Sequence, residues 1–420
     1  MQERSMAVLK ILGETPLKGE YTPQGAKNAV LPIMAASILI DGEIILHHVP
    51  NLTDVQSMCE ILRHFQCRVK REDDTVIIDT RSLKQGNIDD KLMKTMRASN
   101  LIWGPLLSRF GAATIPMPGG CPIGARPMDI HIRGLKELGA KIHEHSGAFI
   151  STAKKLVGNE IYLDFPSVGA TENLIAAGVK AYGTTVLRNV AKEPEVVDFC
   201  NFLIKAGAKI RGLGSDTLTI DGVKTLGSVE HTVVPDRIVA GTVLLATAMT
   251  KGDVFIKDIV PEHVESIVAK LHETGVEVEK TPSSLRLKHQ GGMGCTNLKT
   301  LPYPGFPTDI QPQFMAALTL AKGTSLVRES IFENRYHHCN ELKKMGADIS
   351  VDGGLAVVNG SSGLYAAKVD VGDLRGGAAL LMAAMAAKGQ TVINNIHHID
   401  RGYYHIENIF NQLGANILRE

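Results

Sequence analysis

The chain repeats one local pattern six times, and this repetition limits the folds that it can adopt. Six gapless segments, each typical of a helix end and the start of a strand, have their third positions at residues 66, 139, 207, 275, 346 and 414. Gly occupies the third position in five copies, as expected for a helix C-cap, and Gln66 occupies it in the first. The spacing of the copies corresponds to a period of about 70 residues, which predicts six repeated supersecondary units.

The second unit carries an enlarged loop. Each unit also has a Gly where an apolar helix ends, at 42, 111, 183, 252, 323 and 389. The segment from this Gly to the cap is longest in the second unit, where it runs from Gly111 to Gly139. The surplus lies in 118–127, which is rich in Gly and Pro and contains Cys121. Extra loop length on a repeated scaffold usually serves function.

Composition and pattern predict an α/β protein of two domains. The chain has 420 residues, 44% of them hydrophobic, enough for two large cores of three units each. Each unit is predicted to contain a helix, a strand, a second helix, a second strand and a hairpin, which gives mixed sheets. Helices such as 378–387 are apolar on nearly every side, so we expect sheets to surround them.

Charge and motif content exclude several classes of function. With 45 basic and 44 acidic residues the net charge is +1, so neither nucleic acid nor a membrane surface is an expected partner. No signal peptide and no membrane-spanning apolar run is expected, and six scattered cysteines favour a reducing cytoplasm. The chain has no P-loop, no GxGxxG and no metal-ligand spacing, so we expect no cofactor and no metal.

Charged residues recur at the starts of the apolar helices. The equivalent position is occupied, within one residue, by Lys27, Arg97, Arg237, Asp309 and Arg375. A cation in the first turn opposes the helix macrodipole at about 0.3 to 1 kcal/mol, so stability alone would not select four of them. Free N–H groups beside such cations favour binding of phosphate or carboxylate. The alternative is that the cations are solvated or pair with the caps Asp236 and Asp373.

Three further candidates come from the same comparison of units. A second equivalent position, at a similar distance before the caps at 139, 346 and 414, holds Arg126, Arg335 and Arg401. Asp309 is the only acid among the helix-start charges, so we expect a low pKa and a capacity to accept a proton from a hydroxyl; a simple N-cap is the alternative. Cys121 lies between glycine residues and five positions before Arg126, which favours an exposed, reactive thiol. The cysteines at 59, 67, 200 and 339 fit helix or strand patterns and are predicted to be core.

At these positions the chain resembles the UDP-N-acetylglucosamine branch of the enolpyruvyl transferase family. The motifs that carry the resemblance are GAKNA (25–29), TMRAS (95–99), PGGCPIGARPMD (118–129), SVGAT (167–171), FPTD (306–309), FENR (332–335), DLR (373–375) and HIDRGY (398–403). They are distributed over essentially the whole chain, and the cysteine-containing loop is highly specific.

The resemblance implies a fold and a reaction. The fold is a two-domain inside-out α/β barrel, with residues 25–234 as the first three-unit domain and residues 1–24 and 235–420 as the second, completed by the N-terminal strand. In the reaction, phosphoenolpyruvate gives its enolpyruvyl group to the 3-hydroxyl of UDP-N-acetylglucosamine, and phosphate leaves after addition and elimination through a tetrahedral ketal. This is the first committed step of peptidoglycan synthesis, and fosfomycin inhibits it as an epoxide mimic of phosphoenolpyruvate.

The resemblance also implies roles for individual residues. Cys121 matches the proton donor, which can also bond covalently to phosphoenolpyruvate, and Asp309 matches the base. Lys27, Arg126 and Arg401 match the ligands of the phosphate and carboxylate of that substrate, and Asn28 with Asp309 the ligands of the sugar. The residues expected to line the substrate sites are Arg97, Arg126, Pro127, Met128, Asp129, Ile130, Phe165, Pro166, Ser167, Val168, Ile331, Arg335 and Arg375.

One position departs from the family, and two other functions compete. Where the family usually has Glu after the sequence PDRI (235–238), this chain has Val239, so we expect altered hinge or helix packing rather than lost chemistry. The alternatives are a 3-phosphoshikimate enolpyruvyl transferase, which lacks the cysteine loop, and a non-catalytic paralogue that binds UDP-sugar. Intact Lys27, Arg126, Asp309 and Arg401 disfavour the second.

Overall fold

A computed structural model describes residues 7–86, 99–117, 123–124 and 128–420. The chain divides into two compact units, which are larger than the six repeated units of the sequence and are numbered separately from them. Unit 1 comprises Met1–Gln24, Gly120–Ala125 and Pro235–Glu420, and unit 2 comprises Gly25–Gly119 and Arg126–Val234. Each unit has its own hydrophobic core. Both mix helices with small sheets, as the alternation of helical and strand patterns predicts.

In unit 2, six helices and eleven strands are formed by the described residues. The helices are α1 (Lys27–Ala36), α2 (Thr53–His64), α3 (Trp103–Phe110), α4 (Asp129–Glu137), α5 (Val168–Gly178) and α6 (Pro194–Lys205). The strands are β3 (Glu43–His47), β4 (Arg68–Glu72), β5 (Thr75–Asp79), β6 (Ala112–Pro116), β7 (Lys141–His145), β8 (Ala148–Thr152), β9 (Glu160–Tyr162), β10 (Thr184–Arg188), β11 (Lys209–Arg211), β12 (Thr217–Asp221) and β13 (Val229–Thr232). They form sheets of order β13-β3-β5-β4, β6-β8-β7 and β11-β12-β10-β9.

In unit 1, six helices and twelve strands are formed by the described residues. The helices are α7 (Arg237–Met249), α8 (Glu265–Glu273), α9 (Gln311–Leu318), α10 (His337–Lys344), α11 (Leu374–Ala386) and α12 (Ile406–Asn411). The strands are β1 (Leu9–Leu12), β2 (Lys18–Tyr21), β14 (Asp253–Lys257), β15 (Val278–Lys280), β16 (Ser284–Lys288), β17 (Leu298–Lys299), β18 (Thr324–Arg328), β19 (Asp348–Asp352), β20 (Leu355–Asn359), β21 (Lys368–Asp370), β22 (Gln390–Asn394) and β23 (Asn416–Arg419). The sheet orders are β15-β16-β14-β2, β17-β18-β20-β19 and β21-β22-β1-β23.

The six sheets follow one plan. In five of them a strand such as β3 pairs antiparallel with the second strand of the following hairpin, as Glu43 does with Asp79 in β5. In the sixth sheet the N-terminal strand β1 takes the place of that second hairpin strand and pairs antiparallel with both β22 and β23. Strand β2 pairs with β14 in parallel orientation, so both N-terminal strands belong to sheets of unit 1.

The predicted caps share one backbone conformation. Residues 66, 139, 207, 275, 346 and 414 all have positive φ, between 65° and 111°. Glycine adopts this conformation without strain, which explains its use at five of the positions, whereas Gln66 adopts φ 65° despite its side chain.

Apolar helices form the centre of each core. In unit 1, α9 packs against α11, and both contact α7. Helix α11 is buried from Leu374 to Met385, in agreement with its apolar sequence. Val239 lies in α7 and is buried in this core, so its side chain adds apolar packing.

Short 3₁₀ turns position two of the predicted charges. Residues Thr308–Ile310 form a turn that leads directly into α9, and residues Ile396–Arg401 form another between β22 and α12. The first turn contains Asp309 and the second ends at Arg401. The apolar helices and the strand ends thus bring charged side chains to defined places in unit 1.

Candidate active site

A carboxylate held by two arginine residues is the central feature of unit 1. Asp309 accepts a hydrogen bond from Arg335 Nη2 on Oδ1 at 2.8 Å and one from Arg375 Nη2 on Oδ2 at 2.8 Å. Arg335 lies just before α10, and Arg375 is the second residue of α11. Folding thus brings together three charged residues separated by 26 and 66 positions in the chain.

Burial makes this arrangement electrostatically strong. The side chains of Arg335 and Arg375 are 4% and 2% exposed, whereas that of Asp309 is 24% exposed. Burial, the largest single cause, lowers the pKa of the Arg375 guanidinium, but the charges of Asp309, Tyr403 and Asp236 together with the Asp309 hydrogen bond outweigh it, and the pKa is raised. Two guanidinium donors stabilise the ionised form of Asp309. A fixed, ionised and partly exposed carboxylate can accept a proton from a substrate hydroxyl.

Asp309 does not cap a helix. The N-cap residue of α9 is Ile310, that of the preceding turn is Pro307, and neither makes a side-chain cap hydrogen bond. The two caps proposed as partners of the cations, Asp236 and Asp373, accept backbone N–H bonds at the starts of α7 and α11. The N-cap interpretation of Asp309 is therefore wrong.

A third arginine of unit 1, Arg401, lies at the end of a turn that other side chains hold in place. Arg401, partly exposed, ends the turn Ile396–Arg401. The preceding residue, Asp400, accepts two hydrogen bonds from Arg419 of β23, at 2.8 and 3.0 Å, and Arg419 also donates to Glu407 at 2.8 Å. Hydrogen bonding to Asp400 is the main cause that raises the pKa of Arg419. This clamp fixes the backbone next to Arg401.

In unit 2, Lys27 is neutralised by an acid that the sequence analysis missed. Lys27 is the first residue of α1, and its Nζ lies 3.5 Å from Asp54 Oδ2 in the first turn of α2. The two side chains are 12% and 4% exposed. Asn28 follows Lys27 and is also partly buried. The cation at this helix start is thus offset by a buried carboxylate, and the solvated alternative is wrong for Lys27 and for Arg375.

The starts of α4 and α5 in unit 2 contain most of the remaining predicted residues. Met128 is buried at the N-cap of α4, Asp129 is exposed in its first turn, and Ile130 is partly buried. Ser167 caps α5, since its Oγ accepts a hydrogen bond from the N–H of Ala170 at 3.4 Å. The residues around it are Phe165, whose ring is exposed, and the partly exposed Pro166 and Val168.

A buried amide joins these two helix starts. Asn173 Oδ1 accepts a hydrogen bond from the Gly104 N–H at 2.7 Å, so its Nδ2 is the donor that faces His131 Nδ1 at 3.3 Å. Nδ1 of His131 is therefore an acceptor and unprotonated. Burial lowers the pKa of His131 to about 4, although Asp129 acts in the opposite direction. His131 is thus a neutral structural residue between α4 and α5.

Four predicted site residues, Cys121, Arg97, Arg126 and Pro127, lie outside the described residues. Within the loop, Ile123 and Gly124 are described, and the Ile123 carbonyl accepts a hydrogen bond from the Asn334 N–H at 3.0 Å. Ile331, another predicted site residue, lies partly buried three positions before Asn334.

Four of the other cysteines behave as core residues, as predicted. Cys59, Cys67, Cys200 and Cys339 are buried, whereas Cys295 is exposed. Burial raises the pKa of all four buried thiols, to about 12 for those at 67, 200 and 339. A raised pKa leaves little thiolate at neutral pH, so these four are poor nucleophiles.

Sequence reasoning also missed two buried glutamates. Glu172, in the first turns of α5, has a pKa raised well above its usual range by burial and then by the charges of Glu195 and Glu193. Glu329, directly after β18, accepts several hydrogen bonds close to Asp309. For Glu172 the available signal was an acid inside an otherwise apolar helix, whereas the position of Glu329 directly after the half-buried strand β18 gave no such signal.

Two kinds of feature are absent from the described residues. Over the ranges given above, no three His, Cys, Asp or Glu side chains are grouped so that they could hold a metal ion. In the same ranges, no helix has the length and apolar character that a membrane crossing requires.

Comparison with known proteins identifies the family. A family model described as EPSP synthase (3-phosphoshikimate 1-carboxyvinyltransferase) matches residues 11–410. The chain belongs to the EPSP synthase family. The assignment confirms the enolpyruvyl transferase resemblance, and the match includes Lys27, Asp309, Arg335, Arg375 and Arg401.

Curated relatives within this family are similar over nearly their whole length. UDP-N-acetylglucosamine 1-carboxyvinyltransferase 1 of Caldanaerobacter subterraneus subsp. tengcongensis is 50% identical over 405 residues, 96% of this chain and 97% of the relative. The enzyme numbered 2 of the same organism is 47% identical over 99% of this chain and all of the relative. The UDP-N-acetylglucosamine 1-carboxyvinyltransferase of Halothermothrix orenii is 46% identical over 98% and 99%.

Solved structures show the same mixed α/β fold. The enolpyruvyl transferase NikO from Streptomyces tendae superposes with a TM-score of 0.90 at 23% identity, covering 99% of both chains. EPSP synthase from Acinetobacter baumannii superposes with a TM-score of 0.76 at 16% identity, covering 99% of this chain and all of that one. At these identities the likeness concerns the fold.

Proposed function

We propose that this chain transfers the enolpyruvyl group of phosphoenolpyruvate to the 3-hydroxyl of UDP-N-acetylglucosamine and releases phosphate, the first committed step of peptidoglycan synthesis. The observation that carries the proposal is Asp309, an ionised carboxylate held by two buried arginine residues at 2.8 Å, in a chain 45–50% identical to enzymes of that name. Such a group is suited to deprotonating a hydroxyl of a bound sugar.

The proposed chemistry uses one base and one acid. Asp309 takes the proton of the 3-hydroxyl as that oxygen bonds to C2 of phosphoenolpyruvate, and Cys121 gives a proton to C3. The resulting tetrahedral ketal then loses phosphate from C2 and returns a proton from C3 to the Cys121 thiolate that the addition left, which restores the carbon–carbon double bond. All three proton transfers are general acid–base steps.

The binding roles follow the charges. Lys27, Arg126 and Arg401 are proposed to hold the phosphate and carboxylate of phosphoenolpyruvate, because cations with free donors suit those groups. Asn28 and Asp309 are proposed to hold the sugar. The residues proposed to line the UDP-sugar site are Arg97, Arg126, Pro127, Met128, Asp129, Ile130, Phe165, Pro166, Ser167, Val168 and Ile331. Arg335 and Arg375 are also proposed to bind substrate.

We also infer the finer architecture and the compartment. Six sheets of one plan, three to a unit, and apolar helices in each core support an inside-out α/β barrel with domains 25–234 and 1–24 plus 235–420. Five cysteines without disulfides, at 59, 67, 200, 295 and 339, support a reducing cytoplasm.

The test is a phosphate-release assay with purified protein. Release should require both phosphoenolpyruvate and UDP-N-acetylglucosamine, and the UDP-sugar should gain the mass of an enolpyruvyl group. The family description favours one competing acceptor, 3-phosphoshikimate, which should give no release. Phosphate release from phosphoenolpyruvate with 3-phosphoshikimate but not with UDP-N-acetylglucosamine would reverse the assignment. Binding of UDP-N-acetylglucosamine without phosphate release would indicate a non-catalytic protein.

A further inference from the structure

Glu329 has a buried carboxylate whose two oxygens both accept hydrogen bonds. Oε1 accepts from the Thr300 hydroxyl at 2.8 Å and from the backbone N–H groups of Ile331 and Phe332 at 2.8 and 3.1 Å. Oε2 accepts from the Thr308 hydroxyl at 2.9 Å. The side chain follows β18 and is only 4% exposed. A carboxylate at this depth is stable only because these donors replace water.

The Thr308 hydroxyl transmits this orientation to Asp309. A carboxylate can only accept, so the single proton of Thr308 Oγ1 is directed to Glu329. The oxygen of Thr308 is then available to Arg335, whose Nη1 donates to it at 2.8 Å. The other terminal nitrogen of Arg335, Nη2, donates to Asp309 Oδ1 at 2.8 Å. The hydrogen bonds therefore run in one fixed direction from Arg335 through Thr308 to Glu329.

The same carboxylate holds the turn that follows β18. By accepting the N–H groups of Ile331 and Phe332, Glu329 fixes the backbone that continues to Asn334. The Asn334 N–H donates to the Ile123 carbonyl at 3.0 Å. Gly124 lies so close to Glu333 that an added Cβ would be 2.6 Å from its carboxylate oxygen. This turn is thus in contact with a described part of the loop that contains Cys121.

We propose that Glu329 is a positioning residue of the transferase site, acting on Asp309 through Thr308 and Arg335. The proposal rests on the proposed function, because the value of a fixed Asp309 depends on its role as the base. Its alternative is a purely structural role, in which Glu329 only satisfies the donors around it. The two differ in what the Thr308 hydroxyl does for Arg335.

Two substitutions interrupt the chain of hydrogen bonds from Arg335 through Thr308 to Glu329, here called the relay, at different points. In Glu329→Gln the shape is kept, but an amide can present an N–H to Thr308, which would then face donors on both sides. In Thr308→Val the relay oxygen is removed, while Thr308→Ser keeps it. Glu273→Gln is the matched control, because Glu273 of unit 1 also accepts from a threonine, Thr296.

The kinetic expectation is a shared loss. Glu329→Gln and Thr308→Val should each lower kcat by about 10- to 100-fold, since misplacing a reacting group by a fraction of an ångström has effects of that order. The kcat of the double variant should be no more than about threefold below that of the less active single variant, because both changes break one relay. Thr308→Ser should recover most of the loss, and Glu273→Gln should stay within about twofold of the native enzyme.

A second readout does not depend on catalysis. Amide hydrogen exchange over 306–312 and 328–337 should accelerate in Glu329→Gln and Thr308→Val, and remain as in the native protein in Glu273→Gln and Thr308→Ser. Unchanged hydrogen exchange in Glu329→Gln and Thr308→Val would overturn the positioning proposal, whether or not the native protein releases phosphate. Absence of phosphate release from the native protein would by itself reject only the proposed function. Multiplicative kinetic losses, or kcat within threefold of native in both single variants, would also overturn it.

Discussion

Replacing Asp309 with Asn tests both the chemistry and the electrostatics of the unit 1 site. The amide keeps the size of the carboxylate but cannot act as a base. Loss of a general base lowers kcat by about 10²- to 10⁴-fold, so we expect Asp309→Asn to lose activity in that range. Phosphate release with both substrates at saturation measures it.

The same change should weaken unit 1. Arg335 and Arg375 are 4% and 2% exposed and lie 2.8 Å from the carboxylate, so the variant leaves two buried charges without the anion between them. Removing one partner of a buried ion pair costs about 3 to 5 kcal/mol. Because Asp309 is 24% exposed, water offsets part of this, and we expect about 2 to 4 kcal/mol. For a unit of this size the melting temperature should fall by about 4 to 16 °C.

Two further variants separate these effects. Asp253→Asn removes the carboxylate from an ion pair with Arg286, whose side chain is 48% exposed and so remains hydrated without its partner; this change should cost less than about 1 kcal/mol and leave activity unchanged. Asp309→Asn combined with Arg375→Met also removes a buried charge and should recover at least half of the melting shift without restoring activity. Activity of Asp309→Asn within tenfold of native, at a native melting temperature, would refute both the base and the buried-pair argument.

Three other outcomes are expected. Fosfomycin should alkylate Cys121 alone, while exposed Cys295 reacts only with a general reagent such as iodoacetamide; peptide mass spectrometry that finds fosfomycin on another cysteine would contradict this. Lys27→Ala should lower kcat/KM for phosphoenolpyruvate at least about 100-fold, against less than twofold for the exposed Lys257→Ala, and steady-state kinetics that give equal losses would reject the assigned role. Because the pKa of His131 is lowered to about 4, the unfolded state binds more protons than the folded state between pH 6.5 and 4. As the pH is lowered from 6.5 to 4, the free energy of unfolding should therefore decrease by up to about 1.4 kcal/mol per pH unit. Urea titrations of His131→Gln should show a weaker dependence of this free energy on pH.

The repeats and the apolar helices could be predicted because they depend on local sequence. Positive φ at a helix end favours glycine, so five caps could be recognised in the sequence as glycine residues. The first cap was found through alignment with the others, since Gln66 adopts the same conformation without the sequence signal. The part played by β1 in the sixth sheet needs knowledge of pairing between segments near opposite ends of the chain, such as Leu9 with Ile393. Local pattern carries no information on that pairing.

The charges were also visible in the sequence, but their partners were not. Lys27, Asp309 and Arg375 could be found because they occupy one position in the repeated unit. The acid beside Lys27 belongs to another helix, and Arg335 and Arg375 reach Asp309 from 26 and 66 residues away. Only tertiary structure decides which charges meet. Glu329 escaped notice for the same reason, since its position directly after a strand is equally consistent with an exposed turn.

The pairing changes how the helix-start cations are to be understood. The macrodipole argument treated each cation as opposed by its own helix, at about 0.3 to 1 kcal/mol. In the folded chain the buried Asp54 lies beside Lys27, and the partly exposed Asp309 lies between Arg335 and Arg375, so these carboxylates outweigh that small cost. These positions are therefore compatible with stability as well as with function.

The charge of each cluster then indicates what it suits. Arg335 and Arg375 with Asp309 and Glu329 sum to zero, so these four groups need no bound anion, and a neutral sugar hydroxyl fits beside them without an uncompensated charge. The dianionic phosphate of phosphoenolpyruvate requires cations in excess, which is the role proposed for Lys27 with Arg126 and Arg401. If this division is correct, Asp309→Asn should reduce kcat and UDP-sugar binding while the KM for phosphoenolpyruvate changes less than about threefold. A selective rise in that KM would instead place Asp309 among the groups that set the charge around phosphate.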